Sequence, residues 1–253
     1  MVACYGADER VYPYLCLHFA CALSLDVAHP LYYVCEGYGT SGDGICYHMS
    51  MNTQPSDEQV INITGTLVAL GPMRRDLIPL YQAWVNDFGM QRTLGDTPSP
   101  RTVEAVTAHY ERFATATDGA QFTICERETM RPIGITELQD IDHRHRTAEF
   151  VIFIGEADAR GKGYGTEATR LMLDYAFTAL GLYNVMLSVF SSNLAGIRSY
   201  EKAGFREIGR RRKAHRMGGK MWDRVYMDCL TDEFESPVLA RVLIPDERRP
   251  NTK

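Results

Sequence analysis

The stretch ARGKGYGTEATRLMLDYAF, residues 159–177, crowds three glycines and two cations into a few positions and then continues as a helix-forming run. From Tyr164 to Leu180 the apolar residues Ala168, Leu171, Met172, Tyr175, Ala176, Ala179 and Leu180 recur at i, i+3, i+4 and i+7, with Glu167, Arg170, Asp174 and Thr178 on the other, outward-facing side. The spacing predicts an amphipathic helix with one face on a core, and Gly181 stops it. Glycine lets another group approach the main chain closely, and the first turn of a helix offers unpaired N–H groups at the positive end of its dipole. Successive N–H groups from Gly161 to Thr166, flanked by Arg160 and Lys162, therefore form a cradle suited to a pyrophosphate. The plain alternative is a loop that merely turns tightly into its helix.

The surroundings decide what kind of sheet this helix covers. Upstream, ITGTLVALGPM reads as a strand and DLIPLYQAWVNDF as a short amphipathic helix. GDTPSP breaks the chain, and Ser99-Pro100 has the cap and first-turn proline that open a helix through TVEAVTAHYERFA. QFTICER, PIGITELQDID and TAEFVIFIG are three strands joined by short polar turns, which suggests an antiparallel meander. Downstream, NVMLSVF reads as a buried strand, SNLAGIRSYEKAGF as a short helix capped by Ser192 or Asn193 and ended by Gly204, and the rest as a hairpin across Gly218-Gly219. The order predicts an α+β fold, a mixed but mostly antiparallel central sheet with helices on both faces. Residues 1–55 lack sustained periodicity and read as an N-terminal extension, 56–231 as the domain, and 232–253 as a C-terminal tail.

Two nucleotide-binding readings fail on the letters. Gly163-x-Gly165-x-x-Ala168 fits the dinucleotide fingerprint, but that motif needs a tight strand-to-helix turn and an acid about 20 residues on. EADAR separates strand from glycines here, and NVMLSVFSSN supplies no acid. No G-x-x-x-x-G-K-[ST] occurs either.

The net charge of −5 gives no drive toward nucleic acid or an acidic membrane surface, so neither is expected as a partner. Five of the seven cysteines (Cys4, Cys16, Cys21, Cys35, Cys46) lie in the first fifty residues without C-x-x-C or zinc spacing. They read as reduced thiols of a cytoplasmic protein. Tyr14 to Leu25 is about half the length of a membrane-spanning helix and lacks the leading positive charge of a signal peptide. His143 and His145 in HRHR stand in a turn without ligand partners, so no metal is expected. RRRKAHR, residues 210–216, reads as a solvated strand face, with an anionic acceptor as the alternative.

Loop, helix, strand and second helix in this order resemble the GNAT N-acetyltransferase superfamily: Arg160-x-x-Gly163-x-Gly165 matches its [RQ]-x-x-G-x-[GA] acetyl-CoA loop. SNLAGIRSYEKAGF is similar to the branch acting on ribosomal-protein N-termini, spermidine and small amines. The resemblance covers about residues 62–230. It implies acetyl-CoA as cosubstrate, held by Arg160, Gly161, Lys162, Gly163, Tyr164, Gly165 and Thr166. It also implies pantetheine lying beside a splayed strand end at Phe153, Ile154 and Gly155, with a nearby backbone N–H for the oxyanion.

Acetyl transfer from a thioester to an amine needs a bound donor, a deprotonated amine, oxyanion stabilisation and a proton for the departing thiolate. Tyr200 is the candidate acid. It lies seven residues after Asn193, two helical turns, so both leave one helix face. The resemblance implies that this face meets pantetheine, with Asn193 hydrogen-bonding it and Tyr200 near the sulfur. A core aromatic and a plain helix cap are the alternatives. Glu149, alternating with Val151 and Phe153 on TAEFVIFI, is the candidate base and Glu137 a second; an ion pair or a solvated strand acid is the alternative for either. Trp84 and the loop Gly89 to Pro100 are candidates for the acceptor site, as that region is in the family. The expected activity is acetyl transfer to a primary amine, of a small molecule or a protein N-terminus, through a ternary complex. A non-catalytic CoA-binding sensor is the alternative, and a homodimer stays open.

Overall fold

The computed structural model describes residues 59–94 and 99–245. The expected extension with its five cysteines, and residues 95–98 of the GDTPSP break, lie outside the described residues. The sheet is built from β1 (Ile63–Thr64), β2 (Val68–Pro72), β3 (Ala120–Glu126), β4 (Pro132–Asp142), β5 (Thr147–Ile154), β6 (Asn184–Phe190), β7 (Arg206–Met217) and β8 (Lys220–Leu230). Their spatial order is β1-β2-β3-β4-β5-β6-β8-β7. β3, β4 and β5 form the expected antiparallel meander. β4 is its middle strand, buried without a break from Ile133 to Leu138, which is why PIGITEL shows little alternation.

One pairing departs from the antiparallel rule and makes the site. β5 runs parallel to β6, but only Thr147–Glu149 pair with Asn184–Met186. Beyond Glu149 the strands diverge: β5 stays on β4 as far as Ile154, while β6 follows β8 to the Phe190–Arg224 pair. The gap leaves one edge of β5 unpaired inside the domain, and such backbone groups demand partners.

Helices cover both faces, as expected. On one face α4 (Tyr164–Asp174) buries Ala168, Leu171 and Met172 against Val68, Leu138 and Val185. Each such Leu or Met contributes about 1.5–3 kcal/mol of apolar burial. On the other face Ile78, Tyr81 and Trp84 of α1 (Ile78–Val85) and Met90 of α2 (Phe88–Leu94) pack on Ile135, with α3 (Val103–Thr115) beside them. α5 (Leu194–Ala203) meets the start of α4 through the Thr166 Oγ1 to Ser199 Oγ hydrogen bond of 2.8 Å.

Five local expectations are corrected. ITGTLVALGPM is two strands with a tight turn, because the Glu167 carboxylate accepts the N–H groups of Thr66, Leu67 and Val68 at 2.6–2.8 Å and pins the turn to α4. Residues 88–94 are helical, a piece the sequence reading missed across Gly89. The next helix opens at Thr102, whose Oγ1 accepts from Ala105 N–H at 3.2 Å, and not at Ser99-Pro100. Asp174, read as outward-facing, is fully buried where α4 widens into a π-turn over Tyr175–Ala179. Its carboxylate accepts Ser236 Oγ at 2.5 Å and the N–H groups of Val238 and Leu239 at 2.9 and 2.8 Å. The segment expected as a tail thus carries a short helix, α6 (Leu239–Val242), and buries Leu239 in the core.

Candidate active site

The gap between β5 and β6 opens into a cleft of about 450 Å³ walled by the end of β5, the glycine loop and α5. Gly161 and Gly163 have φ of +77° and +89°, a left-handed backbone that residues with a Cβ adopt at a cost. That conformation swings the chain into α4 with Gly163 as N-cap and no side chain capping it. The N–H groups of Gly163 to Thr166 precede the first helical hydrogen bond, from Glu167 N–H to the Gly163 carbonyl. They are left for an anion. No Cβ blocks the approach: one added at Gly161 meets nothing within 4 Å, and at Gly165 nothing nearer than 3.8 Å. Arg92, Arg160, Arg198 and Lys202 supply positive charge around the walls. A diphosphate on a long flexible arm fits this chemistry.

Tyr200 lines the same cleft from α5. Phe150 and Phe205 hold its ring edge-on at 6.3 and 6.1 Å. Burial pushes its phenol up to about 12, because the phenolate loses hydration that nothing replaces. The phenol therefore carries its proton at neutral pH. Asn193 caps α5 by accepting from Gly196 N–H through Oδ1 at 3.0 Å; cap and cleft wall coincide in one residue, with the Nδ2 donor remaining.

A second cavity of about 310 Å³ lies on the helical face of β3–β5, under α1 and α3. Its walls are mainly apolar, with Tyr81, Val106, Ile135 and Val151 among them. One carboxylate, Glu137, lines it among the described residues. Oε1 accepts from Gln121 Nε2 at 3.0 Å and faces His109 Nε2 at 3.7 Å; Oε2 accepts from Gln139 Nε2 at 2.6 Å. Burial alone pushes this carboxyl up, but the His109, Gln139 and Gln121 contacts outweigh it and hold it below the usual carboxylate range. Glu137 is thus a fixed anion in an apolar hole. Phe153 lines both cavities, and α2 divides them, with Met90 and Thr93 toward the cleft and Gln91 and Leu94 toward the second cavity.

The structure brings Phe153, Ile154, Arg160, Gly161, Gly163, Gly165, Thr166, Asn193 and Tyr200 to the cleft wall. Arg160 does not simply point at the loop: Nε and Nη2 donate to the carbonyls of Ile154 and Gly155 at 3.0 and 2.9 Å, bracing the end of β5. Gly155, Lys162 and Tyr164 do not line the cleft. Tyr164 turns away to donate to Glu126 at 2.6 Å. Gly155 is bare because the Trp84 ring packs on it; a Cβ there lies 2.2 Å from the ring. Trp84 itself is buried, with Nε1 on Glu156 at 2.8 Å, and lines neither cavity. Glu149 lines neither cavity. It lies four residues before Phe153, about 13 Å along the strand. Of the two acids named from sequence, Glu137 is the one in a cavity. Arg198, Ser199 and Lys202 were missed: they line the cleft from α5, but three- and four-residue spacing relates Arg198 and Ser199 to Lys202 and not to Asn193 or Tyr200. His109, Gln121 and Gln139 gave no signal, because they meet only in three dimensions.

The acetyltransferase (GNAT) domain model matches residues 68–206, more than half of the chain. Spermidine N(1)-acetyltransferase of Escherichia coli K12 is 33% identical over 139 residues, covering 54% of this chain and 72% of that enzyme. Alpha/beta-tubulin-N-acetyltransferase 9 of Homo sapiens is 26% identical over 162 residues, covering 58% and 75%. The structure of spermidine N-acetyltransferase from Vibrio cholerae in complex with CoA and spermine superposes with a TM-score of 0.62 at 24% identity, over 67% of this chain and 98% of that one. Together with the uncapped glycine loop, the splayed strand and the cleft between them, these matches place the chain in the GNAT family of acetyl-CoA-dependent N-acetyltransferases.

Proposed function

We propose that the protein acetylates a primary amine that enters through the second cavity and meets the thioester beside Phe153, within reach of Tyr200. The single observation that carries this reading is that Phe153 lines both cavities, one offering main-chain N–H groups suited to a diphosphate and the other a single buried carboxylate. Acetyl-CoA supplies the activated acyl group. The loop N–H groups from Gly163 to Thr166 anchor its diphosphate, helped by Arg198 and Lys202. The unpaired edge of β5 and Asn193 Nδ2 orient the pantetheine amides, and a β5 N–H donates a hydrogen bond to the developing oxyanion. As the C–N bond forms and the C–S bond breaks, Tyr200 Oη gives its proton to the departing sulfur, and the phenol is restored from solvent. The amine loses its own proton to water, since Glu137 is held too acidic to be an efficient base near neutrality.

The likeness to spermidine N(1)-acetyltransferase supports an amine bearing further positive charge, which the Glu137 carboxylate suits. A protein N-terminus is the other acceptor class. On this reading residues 56–231 carry the reaction and residues 1–55 take no part. The test is thiol release from acetyl-CoA across mono-, di- and polyamines and short peptides. Turnover with at least one class is expected, and tight CoA binding without turnover for any amine overturns it.

A further inference from the structure

The two ends of the acceptor path set a length. Ile135 pairs with Phe153 and Glu137 with Val151, so Glu137 stands two residues along β4 from the row of Phe153, which lines both cavities, on the same face of the sheet. Two strand residues advance about 6.7 Å. At one end is the reacting nitrogen beside Phe153. At the other is the Glu137 carboxylate, with one glutamine hydrogen bond on each oxygen and lone pairs left over.

We infer that the acceptor is a short α,ω-diamine, whose distal ammonium sits on Glu137 while its other amine reacts at Phe153. This rests on the acetyltransferase reading above and adds a substrate class to it. An extended chain advances about 1.2 Å per bond, so four or five methylenes between the nitrogens span the interval. The stem lies against Ile135 and Val151, both apolar. Beyond Glu137 the cavity continues to His109 and Gln139, and no second carboxylate lines it among the described residues. A third ammonium, as in a triamine, therefore meets the half-exposed His109 ring and shares the cavity with the Arg101 guanidinium, with no second carboxylate lining it to offset that charge. A monoamine leaves Glu137 with its two glutamine hydrogen bonds and the more distant His109 ring, and gains nothing from the carboxylate's remaining lone pairs. A diamine of the right length satisfies both.

The experiment measures kcat/KM for acetyl-CoA-dependent thiol release with the series of linear terminal diamines from 1,2-diaminoethane to 1,8-diaminooctane, alongside n-butylamine and spermidine. The expected profile peaks at the diamines with four or five methylenes, at least tenfold above n-butylamine and above spermidine. Glu137→Asp, which withdraws the carboxylate by one methylene, moves the peak to a longer diamine. Glu137→Gln, isosteric and uncharged, brings the ratio of best diamine to n-butylamine to within threefold, with folding checked by the melting curve. A flat profile, or spermidine above every diamine, in the wild-type protein overturns the inference with no variant needed. Because n-butylamine and spermidine turnover then still occurs, that outcome is distinct from failure of the acetyltransferase reading, in which no amine is acetylated.

Discussion

The two cavities are made of different materials. The donor cleft is mostly main chain: helix N–H groups, left-handed glycines and an unpaired strand edge, drawn from one continuous run and the helix after the next strand, with α2 closing one side. The acceptor cavity is side chain, gathered from α1 through β5, and its polar centre joins residues from α3, β3 and β4. A backbone-built site serves a ligand common to many enzymes. A side-chain site sets what one enzyme accepts. Substitutions in the first should act on donor binding or chemistry for every acceptor, and those in the second should re-rank acceptors.

The largest expected effect tests the chemistry in the donor cleft, where Tyr200 stands. Tyr200→Phe keeps the ring on Phe150 and Phe205 but removes the proton donor, so kcat should fall by about 10²–10⁴ with CoA affinity, read by calorimetry, within about threefold. The drop should be the same for all amines. A loss confined to some acceptors would move Tyr200 from the donor side to the acceptor side. Since burial raises this phenol, its folded value lies above its unfolded one. The associated stability is present below about pH 10 and is lost as pH rises toward about 12, a decline that Tyr200→Phe should remove from the alkaline melting profile.

Next comes the cradle. Gly163→Val combines a β-branched residue with a φ of +89°, costing about 1–3 kcal/mol of strain, and displaces the N–H groups that meet the diphosphate. CoA affinity should weaken by about tenfold or more, with acceptor ranking unchanged. Unaltered affinity would mean that the glycine loop is only a turn. This part of the molecule was legible in the sequence because its signals are local: glycines at fixed spacing, then a 3.6-residue period. The meander was legible for the same reason, and so were Tyr200 and Asn193, two turns apart on one helix.

The acceptor side was largely illegible. Trp84 drew attention as a large aromatic near the expected site, yet it is packed under Gly155, because neither letter reveals that the other leaves room for it. Glu149 and Glu137 look alike as acids on alternating strands; only the diverging strands and the overlying α3 decide that Glu137 faces the hole. The buried Asp174 misled for a related reason: its partners at Ser236, Val238 and Leu239 lie more than sixty residues away. Local period sees none of these.

A more modest effect separates support from site. Glu167 stands in the first turn of α4, next to the cradle, but turns away and accepts three N–H groups from residues 66–68. Partial burial pushes it up, but those hydrogen bonds and the Thr66 hydroxyl hold it below the usual range. Its contribution is present above about pH 4.3 and fades as pH falls through the lowered value. Glu167→Gln should cost about 1–2 kcal/mol, the low end for charge-assisted bonds because the site is partly exposed, and leave the acceptor ranking intact. A changed ranking would show that the turn shapes the acceptor cavity.

The smallest effect is expected where the charge is densest. β7 is the sheet's outermost strand, and its arginines at 210–212 are exposed. The β7–β8 ribbon continues past Phe190, the last residue of β6, toward the edge of the sheet at which β5 also ends. That position invites the idea that an anionic acceptor is captured there. No ribbon residue lines either cavity among the described residues, however. Cations along an outer strand also have a sufficient physical use, since they keep its unpaired N–H and C=O groups from recruiting another chain. Arg211→Gln with Arg212→Gln should therefore change kcat/KM for a diamine less than twofold at moderate salt, and shift stability by no more than about 0.5 kcal/mol. The same pair of substitutions should lower solubility instead, measured as the concentration at which light scattering rises. A KM that moved severalfold, and did so less at high salt, would draw the ribbon into the acceptor site and break the division between a backbone-built donor cleft and a self-sufficient acceptor cavity.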